Sequence, residues 1–154
     1  PSGAEASSWA IVDAGTNSTA SFGLIKYTWT NAEVVAAGSG GTSALLTIGS
    51  LPANSQLLSA YVLVGTQATF AAGTLTVGMG RTNPTYVDFI VASDAKAAAA
   101  TIYGNAAAER GTDAAIQLVT AATPVKLIFT AGAGDLANVT TCTGTAYALY
   151  ATLP

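Results

Sequence analysis

Residues 45–77, LLTIGSLPANSQLLSAYVLVGTQATFAAGTLTV, constrain the fold more than any other part of the chain. An apolar run breaks at Gly49 and Ser50 and restarts beyond Leu51, Pro52, Ala53 and Asn54. Residues 57–64 then alternate, with Leu58, Ala60, Val62 and Val64 on one side and Leu57, Ser59, Tyr61 and Leu63 on the other. A Gly/Thr/Ala linker leads to a third run at 74–77. Period-two segments between Gly, Pro and Asn breaks are the mark of antiparallel strands. Both parities of the middle strand are largely apolar. This predicts a strand at the centre of a sandwich, one face against the opposing sheet and the other against a chain segment or a neighbouring subunit.

Further strands are expected on both sides. Residues 1–8 are small and polar and read as a flexible arm, with a short apolar patch at Trp9, Ala10, Ile11 and Val12. Residues 22–29 alternate, and Gly23, Ile25, Tyr27 and Trp29 form the inward set. Residues 33–37 are expected as a short strand and 86–91 as a strong one, with Val87, Phe89 and Val91 on one face. Residues 115–120, 125–131 and 143–152 complete the strands. The one expected helix lies near 94–100, where Ser93 is a suitable N-cap, Asp94 favours the positive end and alanines have the best propensity. Short strands with Gly/Pro turns predict a single all-β domain, a jelly-roll-like antiparallel sandwich of about eight strands. Its expected division is an N-terminal segment 1–30 (arm and first strands) and a sandwich 31–154.

Composition narrows the function. Of 154 residues only 8% are charged while 51% are hydrophobic, against about 25% charged in an ordinary soluble domain. Such a chain is not disordered. No stretch of about 18 residues is apolar enough to read as a membrane helix, so no membrane partner is expected. A surface of Ala, Gly, Ser and Thr suits a subunit packed against others. Lys26, Arg81, Lys96, Arg110 and Lys126 are scattered, and nucleic-acid binding needs clustered cations, so no nucleic-acid partner is expected. The opening PSGAEASSWA has neither the basic head nor the apolar core of a signal peptide.

Reactive chemistry is sparse. With no histidine, the chain lacks the usual general base and the commonest metal ligand. A lone Cys142 reads as a small packed residue. The eight carboxylates show no spacing that forces a pair together; Asp88 with Asp113 could meet only through the fold. A calcium loop at 132–135 would carry one carboxylate, Asp135, where several are usual. No enzyme activity, metal or cofactor is expected. Trp9, Trp29, Tyr27, Tyr61, Tyr86, Tyr103, Tyr147 and Tyr150 could line a sugar-binding groove, or fill the core or a subunit interface.

The order of these segments resembles a known group. An apolar strand, the turn Leu51-Pro52-Ala53-Asn54, the strand 57–64, the run Thr74-Leu75-Thr76-Val77-Gly78, and a close of Pro124 to Thr130, a Gly-rich loop and a final strand are similar to small decoration, or cement, proteins of tailed bacteriophages. The resemblance covers residues 44–153. It implies a jelly-roll-like sandwich, a homotrimer on the outer surface of the head with the major capsid protein as partner, and synthesis in the host cytoplasm, without implying any catalytic residues. The segment holding both tryptophans is expected to touch the shell or a neighbouring subunit, through Trp9, Ile11, Val12, Phe22 and Trp29. The alternatives are another self-assembling phage part, such as a tail tube or fibre module, and a carbohydrate-binding module.

Overall fold

A computed structural model describes residues 4–12, 19–112 and 118–154, with side chains from residue 20 onward in those ranges. Ten strands form two antiparallel sheets among them. In chain order they are β1 (Ala4–Val12), β2 (Thr19–Trp29), β3 (Ser43–Leu51), β4 (Ser55–Thr69), β5 (Leu75–Gly80), β6 (Ile90–Asp94), β7 (Ile102–Tyr103), β8 (Leu118–Val119), β9 (Thr123–Ala131) and β10 (Thr141–Thr152). One sheet has the order β1-β2-β10-β4-β7, with β8 also pairing β4; the other is β3-β9-β5-β6. From β2 to β5 the chain passes back and forth between the sheets, β6 pairs β5 in the same sheet, and β9 and β10 later insert into the two centres. Two four-stranded halves, β2-β10-β4-β7 and β3-β9-β5-β6, are jelly-roll connectivity, with β1 added outside β2.

The stretch 45–77 therefore crosses the sandwich twice, from β3 to β4 and back to β5. The first crossing is tight: Asn54 adopts φ +57°, and the Ser55 hydroxyl donates to the Pro52 carbonyl at 2.6 Å. β4 sits between β10 and the short β7 and β8, the central place expected of it. A register shift opposite Leu149 and Tyr150 lets both Leu57 and Ala60 face inward. Leu58, expected to share a face with Ala60, is instead exposed.

Alternation is cleanest in β9, where Val125, Leu127, Phe129 and Ala131 are all buried, and in β2, where Ile25 and Trp29 are buried and Tyr27 packs against the core. Trp29 meets Phe129 of the opposing sheet edge-on, ring centres 5.5 Å apart at 66°. Its indole lies over Gly144, its cross-strand partner on β10, leaving no room for a Cβ there. Tyr150 covers Gly23 in the same way one end of the pair away. Glycine on one strand thus makes room for an aromatic ring on the next. β2 pairs β10 from Trp29 to Ser21 and is a strand of the sandwich itself; β1 pairs β2 from Ala4 to Val12, so residues 4–8, expected as a flexible arm, are strand.

Three local expectations are corrected. The helix is α1 (Asn31–Gly38), over the residues 33–37 expected as a short strand, and not at 94–100. Thr30 accepts from the Glu33 amide, and Glu33 Oε2 accepts from the Thr30 amide at 2.8 Å, a reciprocal cap that overrides the β-branched Val34 and Val35. The same carboxylate accepts from the Tyr27 hydroxyl at 2.7 Å, tying α1 to β2. Residues 95–101 instead spend their backbone groups on the sheet region. Ala95 N donates to Leu75 O, Ala68 N to Ala95 O, Ala100 N to Val64 O and Val64 N to Thr101 O. Alanine's propensity is weak beside four such bonds. Residues 86–89, expected as strand, form a loop because Tyr86 adopts φ +47° and the Asp88 side chain captures the Arg81 and Thr82 amides at 2.8 and 3.1 Å; β6 begins only at Ile90.

Gly144→Ala tests the ring-over-glycine packing. It should destabilise the domain by about 1–3 kcal/mol, the usual cost of overpacking, measured by urea unfolding. In a Trp29→Leu background the same change should cost far less; equal costs in both would contradict this account of the core.

Candidate assembly surface

The two outer faces of the sandwich differ in cover. Over β5 and β9 the loop 81–89 folds back: Val87 occupies the space beside Gly78, and the Lys126 ammonium lies 5.3 Å from the centre of the Tyr86 ring. The Asp88 carboxylate organises that loop, accepting from two backbone amides and from the Thr82 hydroxyl at 3.2 Å, with Arg81 Nε 3.7 Å away. Its oxygens are thereby committed to structure. Asp113, the carboxylate considered as its partner, lies outside the described residues, as does part of the strand expected at 115–120.

Over β4 and β10 no described segment lies on the outside. Register places Tyr147 beside Tyr61, and Leu63 beside Ile102. Tyr61, Leu63 and Tyr147 are half-buried and Ile102 is 45% exposed. Together with Asn105 they line a shallow depression of about 280 Å³. Towards β2 the face continues through Leu149 and Leu24, a directly opposed pair, and through Thr28 and Thr145, whose hydroxyls are 3.2 Å apart. Lys26, opposite Tyr147, is the charged residue on this part of β2.

Asn105 is held at the rim by a turn that braces itself. Glu109 Oε2 accepts from the Gly104 and Ala106 amides at 2.9 and 3.0 Å. Arg110 donates to the Gly104 and Asn105 carbonyls at 3.0 and 3.2 Å. Those backbone amides, Ala106 foremost, hold the Glu109 carboxyl below its ordinary range.

The structure sorts the aromatic residues that the sequence left open. Trp29, expected as a contact residue, is only 2% exposed and belongs to the core. Tyr27 donates to Glu33, Tyr103 donates to the Asp94 carbonyl at 2.8 Å, Tyr150 covers Gly23, and Tyr86 is buried beside Lys126. Tyr61 and Tyr147 remain on the open face. Of the other expected contacts, Phe22 is half-buried on β2. Trp9, Ile11 and Val12 lie on β1, opposite Phe22, Ala20 and Thr19, and their side chains are outside the described residues. The exposed Leu58, Ile102 and Leu118 gave no sequence signal apart from interrupting an otherwise small-residue surface.

Asp135 caps the short turn 136–138 through the Ala137 amide and also receives the Gly40 amide, so it is spent on backbone. Among the described residues no three His, Cys, Asp or Glu side chains gather at one point, and no helix is long and apolar enough to cross a membrane.

No protein-family model and no curated protein sequence matches the chain. Solved structures do. A chain of the cyanophage Pam1 capsid asymmetric unit superposes with a TM-score of 0.56 at 17% identity, over 95% of this chain and 93% of that one. A chain of the Ralstonia phage GP4 capsid gives 0.54 at 19% identity, over 94% and 89%. The fold is one found in phage capsids. Likeness at this level of identity concerns the path of the backbone.

Cys142 provides a check on the core behind this face. The Trp29 indole N–H is buried without an acceptor in good geometry. Burial pushes the Cys142 thiol up to about 11, with the indole pulling weakly the other way. A thiol that is protonated and buried at pH 8 is a poor nucleophile. A disulfide-exchange reagent at pH 8 should therefore leave Cys142 unlabelled in the native protein and label it fully in denaturant. Rapid native labelling would contradict the packing described.

Proposed function

We propose that the chain is a structural protein of a bacteriophage virion, a cement or decoration subunit bound to the outside of the head as a homotrimer. The observation that carries this is backbone likeness to phage capsid chains over about nine-tenths of both partners, on a chain with 8% charged residues and no histidine. Cement works by burying area in many symmetric copies, and a neutral surface of small residues costs little to desolvate. No chemistry is needed for that role, and none is assigned.

The shell contact in this proposal is the β1 side of the six-stranded sheet, with Trp9, Ile11 and Val12 on β1 and Phe22 on β2. β1 is the last strand of the order and pairs only β2 among the described residues. An edge strand offers a row of backbone donors and acceptors to a partner. The major capsid protein is the partner proposed, with the three subunits clustering around a symmetry axis of the shell.

Removing residues 1–12 takes away β1 and leaves the jelly-roll strands β2–β10 intact. The truncated chain should fold, with circular dichroism and a cooperative thermal transition close to the full chain's. Its affinity for undecorated heads of the cognate phage should fall at least tenfold in co-sedimentation. Full-affinity decoration by the truncated chain would rule out the β1 contact. A solution mass that is trimeric and independent of concentration fits the proposal; open-ended polymers would favour a tail-tube or fibre module instead.

A further inference from the structure

We propose that the depression between Tyr61, Tyr147, Leu63, Ile102 and Asn105 is a binding site for an uncharged pyranose unit of a polysaccharide. The inference stands on the site's own chemistry and does not depend on the capsid proposal. Its floor is apolar: Leu63 and Ile102 face out from neighbouring strands at one register position. Tyr61 and Tyr147 stand directly opposite each other on β4 and β10, which brings their Cβ atoms to about 5 Å and sets the two rings side by side. A pyranose has one face of C–H groups and an equator of hydroxyls. Rings and aliphatic groups below, with polar groups at the edge, complement both features.

The polar groups at that edge are unengaged. The hydroxyls of Tyr27 and Tyr103 are spent on Glu33 and on the Asp94 carbonyl. The Tyr61 and Tyr147 hydroxyls and the Asn105 side-chain amide make no hydrogen bond with the described residues. These groups together can donate and accept several bonds. No charged side chain lines the depression, which favours a neutral sugar over an acidic one. The Glu109–Arg110 brace fixes the Asn105 backbone in advance, so little ordering entropy is lost on binding.

Size separates a sugar from a second protein chain. A stable protein interface needs about 800 Å² from each partner. The depression itself has four apolar side chains, and the face adds Leu149 and Leu24 before Thr28, Thr145 and Lys26 border it, well short of the roughly 20–30 residues such an interface takes. At about 280 Å³ the depression lies at the small end of ligand sites, which suits one sugar ring.

The test is heteronuclear NMR on the full chain titrated with methyl pyranosides of glucose, galactose, mannose and N-acetylglucosamine, to about 50 mM, since single-ring affinities lie near the millimolar range. At least one should shift the Asn105 side-chain amide and the Leu63 and Ile102 signals saturably. Tyr147→Ala should weaken that binding about tenfold. Tyr61→Phe, which removes only a hydroxyl, should weaken it less. Should Tyr147→Ala fail to fold, Ile102→Ser at an exposed position and Asn105→Ala serve in its place. Absence of lining-residue shifts with every probe overturns the proposal, as does binding that survives Tyr147→Ala, Ile102→Ser and Asn105→Ala. So does concentration-dependent broadening of the same signals without sugar, which would assign the face to a second copy.

Discussion

The interior depends on an exchange of volume between Trp29 and Gly144. The largest side chain in the core lies across a residue with none, and the same side chain meets the Phe129 ring of the other sheet edge-on. This contact joins β2 to β10 laterally and the two sheets through their thickness. Because β10 also pairs β4 along most of its length, the position of β10 sets the register of three adjacent strands. Tyr150 over Gly23 repeats the device near the other end of the β2–β10 pair. Substitutions at these glycines would move a ring, and with it the spacing of strands that are distant in sequence.

Strands with strict alternation were legible from residue pattern alone. β2 buries the expected parity, Gly23, Ile25 and Trp29, because one face meets the core and its pairing with β10 runs without a register shift. The central place of β4 was legible from its doubly apolar pattern, but its bulge was not, since Leu57 and Leu58 are chemically identical and only pairing with β10 decides between them. The helix was misplaced for a physical reason. Alanines at 97–100 favour helix only weakly, less than the bonds to neighbouring strands that Ala95, Ala100 and Thr101 make. The Thr30-x-x-Glu33 capping box was present in the sequence and outweighed two valines. Of the contact residues expected near the N-terminus, Trp29 is core, because it falls on the same parity as the buried Ile25. The Tyr61–Tyr147 pair could not be read in sequence, where 86 positions separate residues that strand pairing makes neighbours.

Surface chemistry and fold point to a common mode of action. The carboxylates Glu33, Asp88, Glu109 and Asp135 are all committed to backbone amides, where they cap α1, close loops or brace turns. What is left for partners is a neutral surface of hydroxyls, methyls and a few large apolar groups. A surface of that kind associates through shape and area, and it is only weakly sensitive to salt. On a shell, where each contact is repeated by symmetry, modest affinity per copy is sufficient for near-complete occupancy.

The most direct measurement of the central claim is an electron cryomicroscopy difference map between undecorated heads and heads incubated with the purified chain. The account predicts sandwich-shaped density on the outer surface, in symmetric clusters of three, with the β1 edge turned to the shell. Heads that gain no ordered density at saturating concentration would contradict it, as would density confined to the interior or to the tail.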